Sequence, residues 1–147
     1  MSYTRRSLAV KTAVLRSKST VPTSDVGHCL REVRECYAIP KKEPTAFEAW
    51  RNAMRKHPVT GDLDSFLKSI PRGVPVFWQG GHIIVINGRK VRPGHVAIAT
   101  GFGRNGLSTD ILRAGYFDKV RLELIHAKWG LQLLGWTEDL NGVKVYP

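Results

Sequence analysis

The chain has 147 residues, with 23 Lys and Arg against 12 Asp and Glu, for a formal net charge of +11. That length suits one domain able to bury roughly two-thirds of its unfolded surface. No run approaches the roughly 18 apolar residues of a membrane span, and no apolar core of a secretory signal follows the basic N-terminus. The sequence therefore predicts no membrane insertion and no signal peptide. A field of this sign favours polyanions: nucleic acid, an anionic membrane surface or an anionic cell wall. The cations are spread along the chain rather than gathered in one arm, which argues against nucleic acid.

Residues 1–22 contain Arg5, Arg6, Lys11, Arg16 and Lys18 with no acid, and Pro22 closes the segment. They read as a basic N-terminal arm, either loosely ordered or a short surface helix, ahead of a domain over 23–147. Val26, Leu30, Val33 and Tyr37 share one helical face, with Thr23, Ser24 and Asp25 as candidate N-caps and Pro40 as the stop. Thr45-Ala46-Phe47-Glu48 is a capping box. It predicts a second helix to about Lys56 that buries Phe47, Trp50 and Met54. The stretch 58–72 reads as loop with a short helix around Leu63–Ile70.

After Gly73 the period changes to that of strands. Strands are expected over 74–78 and 82–86, with Asn87-Gly88 as a type I′ hairpin turn into Arg89–Arg92. Others are expected over 95–100, over Leu107–Leu112 pairing back on it, over Val120–Ile125 and over Val143–Tyr146, while Ala127–Leu134 is ambiguous. A turn over Gly101–Gly106 joins two of them. Helices first and antiparallel sheet second predict an α+β domain.

The two cysteines, Cys29 and Cys36, lie about two turns or ~10 Å apart along one helix, too far for a disulfide. No CxxC is present and the five histidines are scattered, so a zinc site is poorly supported; no cofactor is expected. Cys29 sits at a helix start, where the dipole favours a thiolate, and Cys36 sits at the end with the wrong sign. Most lone cysteines are packing. A histidine opening an apolar strand, Gly94-His95-Val96-Ala97-Ile98, supplies a candidate general base. A catalytic imidazole needs a third group to hold its tautomer. Ser108 and Asp110 share a face of the next strand. Asp110 is preferred as orienter and Ser108 is the fallback. His28, Trp50 and Trp78, together with Ser108, are the candidates for the substrate side.

The Cys29-Leu30-x-x-Val33-Arg34 helix, Gly73-Val74-Pro75-Val76-Phe77-Trp78, Gly94-His95-Val96-Ala97-Ile98 and Ser108-Thr109-Asp110 resemble the peptidase domain of phage endolysins. These belong to the NlpC/P60 and CHAP group of papain-like cysteine hydrolases. Gly135-Trp136-Thr137-Glu138-Asp139-Leu140-Asn141-Gly142 is similar to the end of that domain in phages of actinobacteria. The resemblance spans residues 23–146. It implies a papain-like α+β fold, catalysis by Cys29, His95 and Asp110, no metal, and bacterial peptidoglycan as substrate. The bond cut would be a peptide bond of the stem or the amide joining it to muramic acid. Such an enzyme would stay in the host cytoplasm until lysis, and the +11 charge would hold it to an anionic wall, unless a wall-binding part lies elsewhere. The sequence departs from the group's Asp-Cys-Ser triplet, with His28-Cys29-Leu30, and has Asp110 where His, Asn, Gln or Glu is common. The competing expectations are a basic nucleic-acid-binding protein and a papain-like toxin or processing peptidase acting on another amide.

Overall fold

The computed structural model describes residues 4–22, 28–101 and 104–147. Its elements are α1 (Arg5–Ser17), α2 (Cys29–Cys36), α3 (Ala46–Arg51), β1 (Lys56–Pro58), α4 (Leu63–Ser69), β2 (Pro75–Gln79), β3 (Ile84–Ile86) and β4 (Arg89–Val91). There follow β5 (His95–Ala99), β6 (Asn105–Thr109), β7 (Phe117–Arg121), α5 (Leu122–Trp129), β8 (Gln132–Thr137), β9 (Asp139–Leu140) and β10 (Val143–Lys144). Six strands form one sheet in the order β1-β8-β2-β5-β6-β7, and each neighbouring pair runs antiparallel. The domain is α+β, as the order of elements predicts.

Strand alternation sorts the side chains into two cores. Phe77, Val96, Ile98, Leu107 and Phe117 face α1, α2 and α3. Val76, Trp78, Ala97, Ala99 and Val120 face α4 and α5. Complete burial of a side chain such as Phe77 contributes about 1.5–3 kcal/mol, so both layers hold the sheet in place.

The N-terminal segment is helical rather than loosely ordered. Thr4 caps α1 by accepting the Ser7 N–H, and Ala9, Val10 and Ala13 are buried in the first core. Small side chains on that face let the helix lie close to the sheet. The cations tie its ends down: Arg5 Nη1 donates to Tyr37 O (2.9 Å), and Arg6 Nη1 to Arg72 O (3.1 Å). Arg16 Nη1 meets the Glu32 carboxylate at 2.6 Å. Of the two readings of this segment, the helix is present, and it packs on the sheet formed by the residues that follow. The expected caps Thr23, Ser24 and Asp25, with Val26 and Gly27, lie outside the described residues, as do Phe102 and Gly103 of the expected turn.

Leu30, Val33 and Tyr37 are buried along one face of α2, as the periodicity predicts. Thr45 caps α3 by accepting the Glu48 N–H at 3.1 Å. That helix stops at Arg51, earlier than expected, and Met54 is 74% exposed. The Asp139 carboxylate accepts the N–H groups of both Met54 (2.9 Å) and Arg55 (3.1 Å), which diverts the chain into β1. Val120–Ile125 is not one strand, because β7 ends at Arg121 and α5 begins at Leu122. The hairpin is present, with Asn87 at φ 51 and Gly88 at φ 76 as a type I′ turn requires. It forms a separate two-stranded ribbon of β3 and β4.

Candidate active site

Cys29 opens α2 and is 8% exposed. The backbone N–H groups of Val96 in β5, of Leu30 and of Cys29 itself act on its sulfur in the direction that favours the thiolate. His28, the N-cap, makes no side-chain capping bond. The helix start thus directs donors at the sulfur, as the sequence predicts. Burial nevertheless outweighs them and raises the thiol to about 11, with the Asp110 carboxylate adding to the rise. The expected lowered thiol is corrected: the resting sulfur is protonated.

His95 opens β5, opposite Trp78 of β2 in register, and its ring stands 6.2 Å from that indole. Gly94, at φ +71, makes this entry possible. A Cβ there would lie 2.6 Å from the Trp78 carbonyl oxygen, so only glycine allows β5 to start this close to β2. The imidazole is buried, and burial lowers it to about 3; it is neutral at rest.

The His95 Nε2 stands 2.6 Å from Ser108 Oγ, and the same Oγ donates to Val96 O at 3.0 Å. A hydroxyl has one proton and a carbonyl can only accept. With that proton on Val96 O, Oγ accepts from Nε2–H, and the imidazole lone pair resides on Nδ1. Ser108 therefore selects a tautomer in which Nδ1 can take a proton.

Ser108, rather than Asp110, is the side chain that meets Nε2. Alternation would align the two on one face if β6 continued. It ends at Thr109, and Asp110 adopts φ 67. The turned carboxylate accepts Gly115 N–H at 2.6 Å, and Asp110 N–H reaches Tyr116 O at 3.2 Å. Asp110 closes the turn into β7 and acts electrostatically on Cys29.

Cys29, His95, Asp110 and His28 line one cleft of about 1020 Å³. Its walls carry Arg31 and Arg34 of α2, Lys41 of the following loop, and Arg92 beside the β3–β4 hairpin. Sequence reasoning missed these cations and the Val96 N–H. The spacing of Arg31 and Arg34 on the Cys29 helix was the available signal for two of them. Two aromatic expectations are corrected. Trp78 is 1% exposed within the second core, because its strand position faces α4 and α5. Trp50 packs on Phe77, with ring centroids 5.8 Å apart, and neither indole lines the cleft. Cys36 is buried in the first core, and burial raises its thiol to about 12.

Among the described residues no three His, Cys, Asp or Glu side chains gather as a metal site. Fold and site define an α+β domain with a neutral thiol and a neutral imidazole at the base of one basic cleft. No family model, curated protein or solved structure matches this chain.

Proposed function

We propose that this protein is a cysteine hydrolase that cleaves an amide bond of the peptidoglycan stem peptide, in the manner of the papain-like peptidase domains of phage endolysins. One observation carries the hydrolase reading: Cys29 and His95 line a single cleft, with Ser108 holding Nε2 so that Nδ1 is the basic nitrogen. The choice of peptidoglycan rests on the resemblance and on the +11 charge, which suits an anionic wall.

In this mechanism the neutral pair reacts by general-base catalysis rather than from a preformed ion pair. His95 Nδ1 takes the thiol proton as Sγ attacks the scissile carbonyl. Backbone N–H groups at the start of α2 stabilise the oxyanion. The C–N bond breaks, the imidazolium returns its proton to the leaving amine, and a thioester remains on Cys29. Water, deprotonated by His95, then releases the carboxylate product and restores the thiol. Ser108 accepts from Nε2–H throughout, and His28 stands at the cleft as a substrate contact.

Purified actinobacterial peptidoglycan provides the test. The native chain clears its turbidity, and Cys29→Ala and His95→Ala do not. Clearing by Cys29→Ala at the native rate would refute the mechanism. Cleavage of other amides with no effect on walls would indicate a toxin or processing peptidase. Salt-sensitive nucleic-acid binding that survives Cys29→Ala, without clearing, would favour the basic binding protein.

A further inference from the structure

Three cations in the cleft have no carboxylate partner among the described residues. Among the described residues no acid pairs with Arg34, Lys41 or Arg92. Arg34 Nη1 donates to Ile39 O at 3.4 Å and Arg92 Nη1 to Gly81 O at 2.7 Å, both backbone carbonyls that leave the charge uncancelled. Two acids also line the cleft: Glu43 Oε2 accepts from Asn52 Nδ2 at 3.0 Å, and Asp110 Oδ1 from Gly115 N–H at 2.6 Å. These neutral donors leave both carboxylate charges in place, so the cleft is basic by the excess of Arg31, Arg34, Lys41 and Arg92 over Glu43 and Asp110. Arg31 differs from the three, since its Nη2 stands 3.7 Å from Glu32.

The three cations reach the cleft from separate parts of the fold. Arg34 and Lys41 come from α2 and the loop after it, and Arg92 comes from beside the hairpin. From Asp64 to Asp110 the sequence contains no acid between them, so nothing on β2 to β5 offsets the hairpin side. A concave site with an excess of one sign of charge concentrates its field inward, more than the same excess would on an open surface.

We infer that the cleft selects peptides carrying free carboxylates beside the scissile amide, held by Arg34, Lys41 and Arg92, and discriminates against the same peptides as carboxamides. This rests on the proposed hydrolase reading and names its substrate class: the acidic, unamidated form of the stem peptide. Arg34 can hold a carboxylate through a paired N–H fork, while Lys41 contributes a point charge.

The inference is tested by binding, separately from turnover. Full-length Cys29→Ala protein is titrated calorimetrically with a synthetic stem-type peptide bearing two free carboxylates, and with its bis-carboxamide. The carboxylate form is expected to bind about tenfold more tightly at about 0.05 M salt, with the advantage shrinking at about 0.5 M as screening shortens. Lys41→Gln, at an exposed position, is expected to remove about threefold of that preference, and Arg34→Gln more. Thermal melting confirms that each variant is folded. Binding of the two peptides within about twofold of each other, or of neither, overturns the inference. Equal turnover of both by the native chain would overturn it while leaving the hydrolase intact. A carboxylate preference in binding with no turnover would uphold it and defeat the hydrolase.

Discussion

Ser108 Oγ accepts from His95 Nε2 at 2.6 Å while donating its own proton to Val96 O at 3.0 Å. The residue after the imidazole thereby sets the hydrogen-bond polarity of the hydroxyl that orients it. Ser108→Ala removes the acceptor and frees the tautomer. Its kcat is expected to fall by about ten- to a hundredfold with little change in KM. Asp110→Asn keeps an oxygen for Gly115 N–H and is expected to retain most activity. Steady-state kinetics on solubilised stem peptides separates the two. Loss in Asp110→Asn with none in Ser108→Ala would reverse the assignment.

The buried pair sets a pH window. His95 is lowered from 6.5 to about 3, so between those values the unfolded chain binds a proton that the native one refuses. Stability is present above 6.5 and declines as pH falls toward 3. Cys29 is raised from 9.0 to about 11 and Cys36 from 9.0 to about 12. Their contribution is present below 9 and lost as pH rises through those values. Urea midpoints measured across pH should show a plateau from 6.5 to 9 with a fall on both sides. Alkylation of Cys29 by iodoacetamide should still be accelerating above pH 9.

Glu32 is an acid in the core, with its side chain 3% exposed. Arg16 Nη1 reaches it at 2.6 Å from α1. Arg16→Met leaves that carboxylate only its 3.7 Å contact with Arg31, at a cost of about 2 kcal/mol, below the range for a fully buried pair because Arg16 is part-exposed. Chemical denaturation measures it. Deleting residues 1–18 is expected to abolish folding, where removal of a loose arm would change little.

Gly94→Ala brings a Cβ against the Trp78 carbonyl at 2.6 Å, at a positive φ. Strain and clash together are expected to cost about 2 kcal/mol or more. Because His95 follows directly, activity should fall at temperatures where the variant remains folded. Circular dichroism melts paired with wall-clearing rates check both effects.

Local chemistry accounts for what the sequence foretold. Thr45 signalled its cap, Asn87-Gly88 its turn, and Leu30, Val33 and Tyr37 their buried face, each from residues close in the chain. Cys29 and His95 were legible because a helix start and a strand start are themselves local. The rest depended on distant partners. Asp139 ends α3 from the far end of the chain, and α1 is ordered by the sheet it covers rather than by its weak apolar stripe. Asp110 misled because a positive φ broke the alternation on which its placement depended. The thiol misled because the helix start promises a low pKa while burial, invisible in sequence, dominates. The cations of the cleft are separated in the chain and meet only in the fold.

Every bond-breaking step proposed for this chain passes through the Cys29 sulfur. The most direct measurement is the release of new amino groups from purified peptidoglycan by the native chain and by Cys29→Ala at equal concentration. Steady release by the native chain and none above background by the variant is the expected result. Equal release from both, or none from the native chain on any wall tested, would contradict it.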